Sequence, residues 1–185
     1  MNQIGFLDGN SFALLGLLSG KKHYLRELAE TSGLSPSMVH KILLRLVQRK
    51  LVLAENQKNR KLFAINYSSP LALVALSLLV INNLLETKAF KKITSLNPKG
   101  IYLFGTAASG KITVNSDIDL SVFFISKPDS FKLSNIKREL SNELKKEVQL
   151  VVLTPEKIES MEREQVELLN QIKIGSVVLW GEMFD

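Results

Sequence analysis

Along the first 50 positions the apolar residues recur at helical spacing. Residues 11–18 (SFALLGLL) read as a short apolar helix with Asn10 or Ser11 placed to cap it. After Gly20 comes a basic opening, KKHYLRELAE, with Leu25, Leu28 and Ala29 at helical spacing, ended by the turn Thr31-Ser32-Gly33. Ser35 followed by Pro36 is a helix start. The serine oxygen satisfies a free amide, and proline sits at the first helical position, where no N–H is needed. This helix is expected to reach about Lys50 and to bury Val39, Ile42 or Leu43, and Leu46, with Ser37, Met38, His40, Lys41, Arg45 and Arg49 on its other face.

Two β-prone runs follow, residues 51–53 (LVL) and 62–65 (LFAI), flanking a polar, basic tip, ENQKNRK, at 55–61. Tyr67-Ser68-Ser69-Pro70 reads as a boundary. Beyond it, residues 71–85 (LALVALSLLVINNLL) are strongly apolar. This run of about fifteen residues is broken by Asn82-Asn83 and falls short of the roughly 20 needed to span a bilayer, so no membrane anchor is expected. Leu71, Val74, Leu78, Ile81 and Leu85 make one helical stripe, and Leu73, Leu76, Val80 and Leu84 make another. A helix apolar on two faces needs cover on both, either between two domains or against its equivalent in a homodimer.

The remainder alternates helix and strand. A basic helix is expected over 87–96, a strand over 101–104, a second strand opening with Asp117 and Asp119, a loop over 127–130 and a helix over 134–146. Residues 148–153 (VQLVVL) are nearly all apolar, as in a central strand. A helix or helical pair then runs from Pro155 to Ile172, and a short strand covers 176–180. The expected fold is α+β, with an N-terminal domain at 1–68, linking helices at 69–96 and an α/β domain with a small mixed sheet at 97–185.

Charge sharpens this division. Residues 1–68 carry ten Lys/Arg against four Asp/Glu, while 69–185 carry fourteen against fourteen, so the whole net charge of +6 lies in the first third. That third is the part expected to meet a polyanion. The chain has no cysteine, which excludes disulfides and thiolate chemistry, and no signal peptide is evident; a cytoplasmic protein is expected. The order helix, helix, turn, helix, basic hairpin over about 10–66 resembles a winged helix-turn-helix of the MarR/ArsR-like kind. The resemblance implies double-stranded DNA as partner, with Ser37, Met38, His40, Lys41 and Arg45 facing the major groove and Lys58, Arg60 and Lys61 as wing contacts. Lys50 departs from that pattern, which commonly has glycine before the first wing strand.

The chemistry concentrates in YLFGTAASGKITVNSDIDLSVFF, residues 102–124. A strand leads to a glycine turn, and a second strand begins with two carboxylates two residues apart, which places them on one face. Each disfavours ionisation of the other unless a cation lies between them, and Mg²⁺ is a fitting partner for a carboxylate pair with substrate phosphates. Gly105-Thr106, ten residues, then Asp117-Ile118-Asp119 resembles the Gly-Ser, ten residues, Asp-x-Asp signature of minimal (MNT-type) members of the polymerase-β-like nucleotidyltransferase superfamily. The resemblance implies Asp117 and Asp119 as metal-binding catalytic residues, Gly105, Thr106, Ser109, Lys111 and Ser116 around a nucleoside triphosphate, and Mg²⁺ as cofactor. It also implies a third carboxylate on the next strand, where this chain has Gln149, with Glu147 two residues earlier. Ala107 and Ser109 stand where arginines often follow the turn, leaving Lys111 as the nearest expected cation. Two readings stay open: a nucleotidyltransferase moving a nucleotidyl group from Mg-NTP to a hydroxyl of a protein or other acceptor, or a transcriptional regulator whose transferase-like domain is inactive or senses nucleotide. A third reading is an antitoxin-like partner of a small helical toxin.

Overall fold

The computed structural model describes residues 7–58 and 60–184. The chain divides into two compact units, one holding the residues up to Leu79 with Gly110–Asn115, the other Val80–Ser109 with the residues from Ser116 onward.

In the first unit, helix α1 (Gly9–Leu18) is capped by Asp8, whose carboxylate accepts from Ser11 N at 2.8 Å. The cap therefore lies two residues before Asn10, because Asp8 reaches the free amides that Asn10 and Ser11, already inside the helix, cannot. Helix α2 (Leu25–Ser32) stops at Gly33, whose left-handed φ of 70° suits glycine. Helix α3 (Pro36–Gln48) starts with the Ser35 side chain accepting from Met38 N, and Val39, Ile42, Leu43 and Leu46 are fully buried. Each such side chain contributes about 1.5–3 kcal/mol by leaving water. Strands β2 (Val52–Gln57) and β3 (Arg60–Ile65) pair antiparallel from Val52↔Ile65 to Gln57↔Arg60. The strands thus extend into most of the polar, basic tip; Asn59 of that tip lies outside the described residues. Lys50 does adopt the left-handed conformation, φ 59°, and its carbonyl accepts from the Asn66 side chain at 2.8 Å. An unexpected two-residue strand, β1 (His23–Tyr24), pairs with β3 to complete a sheet of order β1-β3-β2.

Gly110–Asn115 is built into this unit. Ile112 is buried, and its carbonyl accepts from Ser19 Oγ at 3.1 Å and from Tyr67 OH at 2.9 Å. The same Tyr67 oxygen accepts from Gly20 N at 2.9 Å. Gly110, at φ 71°, lies so close to the Leu73 carbonyl that no side chain fits there.

Helix α4 (Pro70–Glu86) runs through the division. It buries Ala72, Ala75, Leu76, Val80 and Leu84, and leaves Leu71 (42% exposed), Val74 (65%), Leu78 (50%) and Leu85 (40%) in contact with solvent. No single helix among the described residues is long and apolar enough to cross a membrane.

The second unit is a four-stranded sheet of order β6-β5-β4-β7. Helix α5 (Lys88–Thr94), capped by Thr87, leads to β4 (Gly100–Phe104), which is buried throughout. One helical turn, α6 (Gly105–Ala108), precedes β5 (Ile118–Phe123), antiparallel to β4. Helix α7 (Ser130–Leu144) begins four residues before position 134, because Asp129 accepts from Phe131 N and Lys132 N and so starts it early. Strand β6 (Val148–Leu153) runs parallel to β5 and is an edge strand of partial burial, not a central one; its apolar run faces α7 without a strand on its far side. Helices α8 (Pro155–Arg163) and α9 (Glu167–Gly175) and strand β7 (Val177–Gly181), antiparallel to β4, finish the unit. Tyr102, Phe104, Leu153, Ile158, Met161, Leu169, Ile172 and Phe184 form the core beneath α8 and α9. The protein is thus α+β: a helical N-terminal region with a small hairpin sheet, then a mixed-sheet domain.

Candidate functional site

The β4–β5 register places the two ends of the acidic motif together. Phe104 lies opposite Asp119, so Gly105 begins its turn beside that carboxylate. The contact is close: a methyl group on Gly105, whose φ is 69°, would run into Asp119 Oδ2. Helix α6 is a single turn, closed by Ser109 N donating to Gly105 O and by Ser109 Oγ donating to Thr106 O, both at 3.2 Å. Asp117 immediately precedes β5, and both aspartates are half-buried. Burial, and after it the negative charge of Asp117, raises the Asp119 carboxyl above its ordinary value. Asp119 therefore senses the charge of Asp117.

On the other side of β5, Asp119 pairs with Gln149 of β6. The Gln149 amide donates to Glu147 Oε1 at 2.9 Å, and the Glu147 carbonyl accepts from Ile118 N at 2.9 Å. Among the described residues no three Asp, Glu, His or Cys side chains come together to hold a metal ion, so Asp117 and Asp119 stand as a pair. A cation near Asp117 is Lys146, whose Nζ donates to Ser116 O at 3.2 Å. Burial lowers the Lys146 ammonium from its ordinary value, and the charge of Asp117 opposes that shift. Lys146 escaped sequence reasoning because only the parallel pairing of β5 with β6 brings the start of one strand to the start of the other. Lys111, the cation expected from sequence, is exposed on the Gly110–Asn115 segment.

The residues expected to contact DNA form two exposed groups. Ser37, Met38, His40, Lys41 and Arg45 all lie on the solvent face of α3, with Arg45 Nη2 3.5 Å from Asp8 Oδ2. Lys58 occupies the hairpin turn at φ 44°, and Arg60 and Lys61 open β3, all exposed. Lys22 Nζ meets Glu55 at 2.7 Å, an exposed pair that adds little stability.

A glycine turn between two strands, with paired carboxylates at the head of the second, is the arrangement expected of a nucleotidyltransferase. Residues 84–178 match the family model described as polymerase beta, nucleotidyltransferase, just over half of the chain, and the protein belongs to that family. Residues 9–55 match the IclR helix-turn-helix domain, so the N-terminal module is a helix-turn-helix of the IclR type; the MarR/ArsR likeness is not part of this match. No curated protein matches the chain. Among solved structures, a toxin-antitoxin with AMP-PNP is 27% identical over 56% of this chain and 74% of its own, with a TM-score of 0.42. A tri-AMPylated Shewanella oneidensis HEPN toxin in complex with MNT antitoxin is 23% identical over 57% and 73%, with a TM-score of 0.39. A predicted DNA-binding transcriptional regulator from E. coli is 25% identical over 36% and 70%, with a TM-score of 0.33.

Proposed function

We propose that the protein is a DNA-binding regulator whose nucleotidyltransferase domain holds a Mg²⁺-bound nucleoside triphosphate as a ligand. The observation that carries this reading is the pairing of Asp119 with Gln149, whose amide is engaged by Glu147. An amide cannot take the proton of an attacking hydroxyl. Absence of a general base lowers turnover by about 10²–10⁴-fold. Binding requires less. Two carboxylates and phosphate oxygens make a hard oxygen donor set that suits Mg²⁺, and a half-buried, mutually repelling pair gains from a cation. Asp117 and Asp119 would hold the ion, which supplies charge neutralisation. Gly105, Thr106, Ser109 and Ser116 would flank the triphosphate.

On the DNA side, the support is the helix-turn-helix match, the exposed polar face of α3 and the concentration of +6 in residues 1–68. Lys41 and Arg45 would meet phosphates or base edges, and Lys58, Arg60 and Lys61 would follow the backbone. A homodimer fits the exposed stripe of α4. Leu71, Val74, Leu78, Ile81 and Leu85 repeat at steps of three and four, and no charged residue occurs before Glu86 in that helix. Such a seam is complementary to its own copy. Four part-exposed side chains bury far less than the ~800 Å² per partner of a standard interface, so pairing would be completed on DNA carrying two half-sites.

Incubation with Mg²⁺ and each α-labelled NTP, with and without cell extract, beside the Asp117→Ala/Asp119→Ala double variant, tests the nucleotide reading. Saturable binding without label transfer is expected. Transfer that disappears in the double variant would make the protein an active transferase. DNA affinity should fall steeply with salt, and Lys41→Ala or Arg60→Ala should each reduce the salt slope by about one. Salt-independent binding would refute the DNA reading.

A further inference from the structure

The glycine turn carries no cation: Thr106, Ala107, Ala108 and Ser109 are uncharged. A triphosphate lying there would meet two aspartates, and one Mg²⁺ cannot offset both the carboxylates and the phosphates. The chain supplies a positive charge from another direction. Helix α7 ends at Leu144, and Lys145 reverses the chain at φ 52°. Lys146 N then donates to Ser141 O at 3.3 Å and Val148 N to Ser141 Oγ at 3.1 Å, while Ile118 N donates to Glu147 O at 2.9 Å. These bonds fix residues 145–148 against the head of β5. The Lys146 side chain therefore springs from a rigid base, and its Nζ rests 3.2 Å from the Ser116 carbonyl, at the bend leading into Asp117. It is half-buried, so its charge is screened less than that of an exposed lysine.

We propose that Lys146 is the phosphate-binding cation of this site, turning from the Ser116 carbonyl to an oxygen of a nucleoside triphosphate held at Gly105, Asp117 and Asp119. This rests on the nucleotide reading above. A lysine suits the task because its compact ammonium rotates on a flexible stem and can exchange one oxygen for another without backbone movement. It also explains how a site with Gln149 in place of a third acid stays suited to anions: one negative charge is missing and a positive charge faces the pair.

The test is titration of the full chain, with Mg²⁺, against the fluorescent methylanthraniloyl derivatives of ATP, GTP, CTP and UTP, for wild type and for Lys146→Ala, Lys146→Gln and Lys146→Arg. Ala and Gln should weaken triphosphate binding roughly tenfold or more, and Arg should restore it. Gln retains a donor for the Ser116 carbonyl, so its melting temperature should stay at the wild-type value while its affinity falls. Wild-type affinity in both Ala and Gln overturns the role of Lys146 alone. A loss that tracks a lowered melting temperature and is not rescued by Arg makes Lys146 a structural clamp and likewise overturns it. Absence of saturable binding by wild type overturns both this inference and the nucleotide reading.

Discussion

Gly105→Ala probes the carboxylate pair directly, and Gly33→Ala calibrates it. The two glycines have nearly identical backbones, φ 69° and 70°. A methyl group at Gly33 meets nothing within 4 Å, whereas one at Gly105 meets the Asp119 carboxylate, with Cγ at 3.3 Å and Cβ at 3.5 Å. Both substitutions carry the left-handed penalty of about 1–2 kcal/mol. Only Gly105→Ala must also displace Asp119. That side chain can rotate away, which adds about 0.5–1.5 kcal/mol for an off-rotamer position. We therefore expect about 1–2 kcal/mol at Gly33 and about 1.5–3.5 kcal/mol at Gly105. Native-state amide exchange reads each value locally, from α3 amides in one case and β5 amides in the other. Rotation of Asp119 also parts it from Asp117, so Mg-nucleotide affinity should fall in Gly105→Ala and hold in Gly33→Ala. Equal stability losses with unchanged nucleotide affinity in both would refute the packing of Gly105 on Asp119.

Three further outcomes follow from residues away from the carboxylate pair. Asp8→Ala removes the α1 cap and should destabilise by about 1 kcal/mol at pH 7. Hydrogen bonds from the Ser11 side chain and backbone hold the Asp8 carboxyl below its ordinary 3.8, so its stabilisation is present above 3.8 and lost as pH falls below that value; a gap between the two melting curves that does not narrow as pH falls below 3.8 would contradict this. Tyr67→Phe strips Gly20 N of its acceptor and Ile112 O of one of its two donors, an expected loss of about 1–2 kcal/mol; urea unfolding within about 0.5 kcal/mol of wild type would show that Tyr67 does not hold the segment. Val74→Glu places a charge in the exposed α4 stripe and should lower the mass of the DNA-bound assembly in sedimentation while leaving the melting temperature intact; an unchanged mass would exclude this face as the dimer seam.

The helices of the first unit were readable because their signals are local. Ser35-Pro36, the turn at Gly33 and the spacing of Val39, Ile42, Leu43 and Leu46 act within one or two turns of chain. β1 was not readable, since two residues carry no periodicity and His23–Tyr24 becomes a strand only through β3. The same physics governed the carboxylate site. Gly105, Asp117 and Asp119 announced themselves by spacing. Lys146 depends on a parallel pairing between strands separated by the whole of α7, and no short stretch encodes such a pairing. The apolar run of β6 misled for a related reason: one covered face and a strand neighbour suffice to favour such a sequence, even at a sheet edge. On α4 both apolar stripes were legible, but which of them the fold would bury was decided by partners distant in sequence.

The peptide chain passes from one compact unit to the other after Leu79, again after Ser109 and again after Asn115. Ile112 is therefore encoded between Gly105 and Asp117, yet its carbonyl bonds to Ser19 and Tyr67. A gene cut at 68/69 or at 96/97 would send Ile112 off with one fragment and both its donors with the other. Recombination at either point cannot graft this transferase domain onto a different reader without leaving Tyr67 and Ile112 unmatched.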